Sequence, residues 1–355
     1  MFYQDNLAHI HPVQRSFEAE AAAALARLCE GENLASAETE LLFGELVAGR
    51  LSEPQIAAML VALRLKGETA DELIGAARAL RAADEPFERP DYLFADSCGT
   101  GGDGSGSINV STAVAFVSAA CGLPVAKHGN RSVTSRCGSA DVLEHLGARL
   151  DVSASASRRA LDRTGICFLF APAYHPGLRH AGPVRRMLKV RTIMNLVGPC
   201  VNPAEPAVQL LGVADPKLIE PVAKTLLALG VRSALVVHGA GLDEIALHAE
   251  TQAVRVTEGG LKHITITPEE AGLSRAPVTA LKGGGAEENA ERFKALLLGY
   301  ASSPEADTVA LNAGALLLTA GKAGSLAEGT ALAAQAIASG AAHRVLKAFI
   351  DATHD

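Results

Sequence analysis

The chain has 355 residues, 48% hydrophobic and 20% charged, which is enough to bury a large core and excludes the disordered classes. Its formal net charge of -7 argues against a nucleic-acid partner, because proteins that hold such a backbone present a basic surface. No apolar run is long enough to span a bilayer, and the start of the chain lacks the basic stretch and apolar core of a signal peptide, so the expectation is a cytoplasmic protein without a membrane partner.

Residues 1–88 read as a helical domain. Ser36, the capping box Ser52 with Gln55 and the capping box Thr69 with Glu72 each stand ahead of apolar residues at helical spacing. The inward stripes are Leu41, Leu42 and Leu46, then Ile56, Met59, Leu60 and Leu63, then Leu73, Ala76, Ala77 and Leu80, with Gly49 and Gly67 as stops. So many apolar faces on a small bundle leave surface to pack on another domain or subunit. Glu85-Pro86 through Pro90 is the expected linker.

From residue 90 short apolar runs alternate with helical patterns. Candidate strands at 92–95, 123–126, 166–170, 208–213, 234–238 and 253–257 predict an α/β domain, a mostly parallel sheet flanked by crossover helices, over residues 90–182 and 207–355. Between 183 and 206 the pattern breaks into helical pieces ended by Gly198-Pro199 and Asn202-Pro203. Lys282-Gly283-Gly284-Gly285 reads as a flexible loop, and the alanine-rich amphipathic helices expected from Glu287, Asp307 and Leu326 read as core rather than chemistry. Six cysteines without a Cys-x-x-Cys pair read as reduced, mostly buried thiols, and no His-Glu-x-x-His pattern points to zinc.

Ligands of parallel sheets bind beyond the carboxyl ends of the strands, and two loops of small residues emerge there. In the first, Gly99, Gly101, Gly102, Gly104 and Gly106 let a ligand touch the main chain, while Asn109, Ser111 and Thr112 stand where a helix begins. Around the second, Lys127, Arg131 and Arg136 bring charge, and Ser132, Thr134 and Ser135 bring neutral hydrogen bonds. A glycine cluster alone is most often a turn. Two such loops with two hydroxyl clusters and three cations make a phosphate site, although neither has the Lys-Ser/Thr ending of a P-loop nor the spacing of a dinucleotide fingerprint.

The runs GTGGD at 99–103, NVST at 109–112 and KHGNRSVTS at 127–135 resemble the anthranilate phosphoribosyltransferases, which join anthranilate to phosphoribosyl pyrophosphate in tryptophan biosynthesis. The resemblance runs from about Phe17 to the C-terminus and implies a homodimer formed through the helical domain, with the pieces at 183–206 returning to that domain and a cleft at the hinge. It implies that Gly99, Gly102, Asp103, Ser107, Asn109, Val110, Ser111 and Thr112 bind phosphoribosyl pyrophosphate, together with Lys127, His128, Gly129, Asn130, Arg131, Ser132, Val133, Thr134, Ser135 and Ser139. A pyrophosphate leaving group calls for a divalent cation. Asp243-Glu244, taken alone, reads as a solvated turn after the strand at 234–238; the resemblance makes the pair magnesium ligands with Ser111.

On the basic helix at 184–191, Arg185 is the best bidentate partner for a carboxylate, and a solvated basic face is the bland alternative. The resemblance selects Arg185 for anthranilate, with Asn130 and the Gly99 main chain as companions and His128 and His175 lining the pocket. Three positions depart from the family pattern: Ser107 replaces threonine, Cys137 replaces serine, and Cys200 replaces an apolar residue. A pyrimidine nucleoside phosphorylase of the same fold would need a Lys-His-Ser entry where this chain has Asp96-Ser97-Cys98, and a nucleic-acid-binding branch would show a basic groove and a degraded magnesium motif.

Overall fold

The computed structural model describes residues 12–132 and 136–355. The chain forms two compact units, one made of the described residues up to Asp84 with His175–Val197, the other of Glu85–Tyr174 with Gly198–Asp355. The first is a helical bundle. The second carries a mostly parallel seven-stranded sheet flanked by helices.

In the bundle, Thr69 and Glu72 form the expected capping box, and Glu72 does more than cap: its carboxylate accepts from the amides of Thr69 (2.9 Å) and Leu34 (3.0 Å) and pairs with Lys66 (2.9 Å). A fully buried acid is tolerable only with partners of this kind. Ser52 and Gln55 cap Glu53–Lys66 as expected, and Gly67 ends that helix at φ +89°. The helix expected at Ser36 does begin there, with Ala35 at the N-cap and Glu38 reaching back to the Ala35 amide at 2.8 Å. Leu42, Phe43 and Leu46 make the inner stripe of Ser36–Val47, and Leu41 is only half-buried. The segment returning to the bundle begins at His175, whose ring bonds Asp84, and not at 183; it ends at Val197 because Pro199 O is held by Gln209 Nε2 (2.7 Å) of the sheet.

In the second unit, β1 (Ala95–Gly99), β2 (Val125–Gly129), β3 (Ile166–Phe170), β4 (Val208–Gly212), β5 (Ser233–His238), β6 (Thr251–Thr257) and β7 (Gly260–Ile266) lie in the order β3-β2-β1-β4-β5-β6-β7. The pairs among β1 to β5 are parallel, whereas β6 and β7 are antiparallel. The strand expected at 92–95 is replaced by β1, which runs on through Asp96 and Ser97 because both are buried in the sheet despite their polarity. β2 starts after Pro124, which has no amide to give a ladder, and not at 123. β7 has no counterpart among the expected strands. The helix expected from Asp307 starts at Ser303 behind a capping box of Ser302 and Glu305.

The core gathers around the helix Val110–Ala120, where Phe116 meets Phe293 and Phe349 edge to face with centroids at 5.8 and 5.6 Å. Burying each such ring contributes roughly 1.5–3 kcal/mol, so this cluster fixes the helix that starts at the first loop. Among the described residues no helix is long and apolar enough to cross a membrane.

Candidate active site

β1 and β4 lie side by side where the strand order reverses, the place beyond whose carboxyl ends ligands of open α/β sheets bind. The loop after β5 folds over both ends. A Cβ on Gly212 would stand 1.6 Å from the Asp243 carbonyl oxygen, and one on Gly99 2.3 Å from Asp243 Oδ2. Glycine at these strand ends therefore lets the acidic pair reach the first loop.

Gly101 N–H donates to Asp243 Oδ2 at 2.7 Å, and Ser111 N–H donates to Glu244 Oε1 at 3.1 Å. The pair is half-buried and bonded, not a solvated turn. Burial and the neighbouring Asp103 carboxylate push Asp243 up to about 7, and burial with Asp243 pushes Glu244 well above the usual carboxylate range. Lys127 answers part of this charge. Its buried ammonium donates to Ser97 O (2.5 Å) and Ser111 Oγ (3.3 Å), so it serves the first loop although its place in the sequence is beside the second. Among the described residues no three His, Cys, Asp or Glu side chains are arranged as a metal cage.

The first loop turns on Gly101, Gly102, Gly104 and Gly106, with φ of +68°, +71°, +76° and +59°. Asp103 Oδ1 accepts from the Ser105 amide and hydroxyl at 3.0 and 2.9 Å, and Ser107 N–H donates to Ser105 Oγ at 3.2 Å. Asn109 occupies the N-cap position before Val110, but its side chain does not cap; it donates to Cys137 O at 3.4 Å and accepts from Asn289 Nδ2 at 3.0 Å. Thr112 is buried.

The second loop, after Gly129, is closed by its own following helix. Asp141 Oδ2 accepts from the amides of Ser132 (3.0 Å) and Gly138 (2.7 Å), Ser139 Oγ donates to Asn130 O (3.3 Å), and Asn130 Oδ1 accepts from Arg131 N–H (2.7 Å). The Arg131 guanidinium forks onto Glu144 (3.1 and 2.5 Å) and lies 4.6 Å from the centre of the Phe170 ring. Val133, Thr134 and Ser135 lie outside the described residues.

His128 is buried on β2, with its amide donating to Asp96 Oδ1 at 3.4 Å. His175 and Arg185 belong to the helical unit. There His175 is buried against Asp84, while burial lowers the pKa of Arg185 and no acid among the described residues compensates. Burial also pushes the Cys98 thiol far up and Cys137 up to about 11, so both are packing residues that stay protonated.

Two features escape the sequence. Asp96 accepts from Asn202 Nδ2 (2.9 Å), and the same nitrogen donates to Ala126 O (2.7 Å), filling the space where β1 and β2 part beyond their single pair Ala95–Val125. The run at 282–285 is bonded to the first loop: Gly283 N–H donates to Gly106 O (2.7 Å) and Ile108 N–H to Leu281 O (2.9 Å). The spacing of Asn289 after three glycines is the visible signal for the second feature.

A helical bundle joined to an α/β unit of this topology is the arrangement of the glycosyl transferase family, whose a/b domain matches residues 91–343 and whose helical bundle domain matches residues 22–83. A protein of Sorangium cellulosum (strain So ce56) named anthranilate phosphoribosyltransferase is 57% identical over 328 residues, covering 92% of this chain and 94% of its own. The crystal structure of anthranilate phosphoribosyltransferase from Thermus thermophilus superposes with a TM-score of 0.88 at 45% identity, covering 94% of this chain and 99% of that one. That from Saccharomyces cerevisiae in complex with PRPP and Mg gives a TM-score of 0.87 at 26% identity, covering 95% and 98%. The chain belongs to the anthranilate phosphoribosyltransferase family.

Proposed function

We propose that the chain transfers the phosphoribosyl group of phosphoribosyl pyrophosphate to the amine of anthranilate, giving N-(5-phosphoribosyl)anthranilate and pyrophosphate, in tryptophan biosynthesis in the cytoplasm. The observation that carries this reading is the bonding of Asp243 and Glu244 onto the amides of Gly101 and Ser111, residues 142 and 133 positions away. Two acids brought onto a phosphate loop across such a distance fit a magnesium diphosphate, since on their own they repel.

Ser111, Asp243 and Glu244 offer only oxygens, the donors magnesium prefers, and two carboxylates suffice for a cation that keeps several waters. When bound, magnesium neutralises the pyrophosphate leaving group. The amides and hydroxyls from Gly99 to Thr112 and from Gly129 to Ser139 hold the phosphates and ribose, with Lys127 and Arg131 adding charge. Arg185 takes the anthranilate carboxylate as a fork, with Asn130, the Gly99 main chain, His128 and His175 around the aromatic ring. The amine nitrogen then bonds to the ribosyl C1 as the C1–oxygen bond to pyrophosphate breaks, through an oxocarbenium-like state, and the nitrogen gives up one proton to solvent to leave the neutral product amine. No protein nucleophile takes part. Positioning and charge stabilisation supply the rate.

Purified protein with phosphoribosyl pyrophosphate, magnesium and anthranilate should consume anthranilate fluorescence; no loss at any protein concentration overturns the reading. We also infer a homodimer through the helical unit, which exposes Leu65, Met187 and Val190 at 82%, 65% and 53%. Light scattering of the full chain should give twice the monomer mass of 36.6 kDa, and Leu65→Glu should lower it.

A further inference from the structure

We propose that Asn289 is a positioning residue for the first phosphate loop, holding the Asn109 side chain away from the Thr112 amide so that this amide stays open to the substrate's phosphates, the Val110 and Ser111 amides already donating to Ile108 O and Glu244 Oε1. This rests on the reading of that loop as the phosphoribosyl pyrophosphate site.

Asn289 is 3% exposed in the first turn of the helix Ala286–Leu297. Its side-chain oxygen accepts from Gly284 N–H at 2.7 Å, and its side-chain nitrogen donates to Asn109 Oδ1 at 3.0 Å. The first bond fixes the glycine strap at 282–285, which in turn is paired to the loop through Gly283 N–H to Gly106 O (2.7 Å) and the bridge between Ser107 and Lys282. The second bond fixes Asn109, which passes the connection on to Cys137 O of the other loop. The strap comes this near at Gly283 because glycine has no side chain: a Cβ there would lie 2.7 Å from Asn289 Oδ1 and 2.9 Å from Ser107 O.

Asparagine at an N-cap ordinarily turns its oxygen onto the amides of the first helical turn, a bond worth about 1 kcal/mol. Asn109 stands at that position and makes no such bond. Released from Asn289, its oxygen would swing onto the Thr112 amide, the N3 position an N-cap side chain commonly reaches, and ligand would have to displace it. An amide is the only side chain of this size that both accepts from Gly284 and donates to Asn109. Aspartate would keep the first bond and lose the second.

In the full chain, Asn289→Ala and Asn289→Asp should each raise KM for phosphoribosyl pyrophosphate about ten-fold, the effect of one competing hydrogen bond, and leave KM for anthranilate unchanged. A purely structural role would lower the melting temperature and the active fraction while leaving both constants alone, and that outcome overturns the proposal. Asn289→Ala placed on Asn109→Ala should add nothing to KM, since the competing oxygen is gone; effects that multiply also overturn it. Amide exchange at 106–110, measured without ligand, should quicken in Asn289→Ala. Unchanged exchange sinks the positioning role even if the wild type consumes anthranilate. A wild type that consumes none, with exchange quickened, sinks the assigned reaction alone.

Discussion

The two glycine loops look alike in sequence and are built by opposite means. The first is met by side chains from far along the chain, with Asp243, Glu244 and Asn289 standing 142, 133 and 180 positions from their partners. The second is closed by Asp141 and Glu144, 9 and 13 positions from the residues they hold. Beyond its local Asp103–Ser105 bonds, the first loop therefore depends on partners that only the assembled sheet brings near, and these are buried or half-buried. The second forms with its own helix, and its cation is held by an exposed pair. One loop is held by acids from across the sheet, the other by an exposed ion pair from the next helix.

The sharpest way to break this contrast is to remove the acids that reach the first loop. Asp243→Asn with Glu244→Gln keeps the shapes and removes both charges, and should lower kcat/KM on the order of a thousand-fold, as expected when preorganised charge is lost. Circular dichroism should be unchanged, because no apolar packing is touched. Wild-type turnover at limiting magnesium would show that the pair only shapes a turn. Next comes Gly102→Val. At φ +71° a β-branched residue is strained and blocks approach to the main chain, so KM for phosphoribosyl pyrophosphate should rise about a hundred-fold. An unaltered constant would place the diphosphate elsewhere.

The same contrast explains what can be read from the sequence. β3 and β4 are continuous buried runs and fall within a residue of expectation, because a strand covered on both faces needs nothing but apolar residues. β1 is displaced from its expected place because Asp96 and Ser97 look like surface residues until Asn202 is known to bond Asp96. β7 escapes because only Ile266 of its residues is buried, so no apolar run marks it, although the Glu258-Gly259 turn before Gly260 is a hairpin signal. Near the ends of β1 and β2, the two loops announce themselves as loops by their glycines and hydroxyls. What stays hidden in the sequence is direction: that Lys127 turns to the first loop, that Arg131 faces Glu144, and that the 282–285 run is bonded and not flexible.

Arg185 tests whether both loops serve one substrate. If it holds the anthranilate carboxylate, Arg185→Ala should cost about ten- to a hundred-fold in affinity for anthranilate, from a charge-assisted pair worth roughly 1.5–3 kcal/mol. Calorimetry with phosphoribosyl pyrophosphate and magnesium should change little. Arg185→Lys keeps the charge without the fork and should recover part of the loss. Equal weakening of both ligands would assign Arg185 to the phosphates.

The smallest effect belongs to the second loop. The Arg131–Glu144 pair has side chains 52% and 36% exposed, and pairs in that setting contribute about 0–1 kcal/mol. Arg131 can therefore leave Glu144 for a phosphate at little cost, while its stacking on Phe170 keeps the guanidinium near the loop. Glu144→Gln frees that charge in advance and should lower KM for phosphoribosyl pyrophosphate about two-fold, an effect that fades as salt screens the exposed groups. Arg131→Ala should raise the same constant. In Arg131→Ala, adding Glu144→Gln should do nothing further, because the acid acts through the arginine it restrains. A two-fold gain that survives the loss of Arg131 would mean Glu144 repels the substrate directly, and the second loop would lose its adjustable cation.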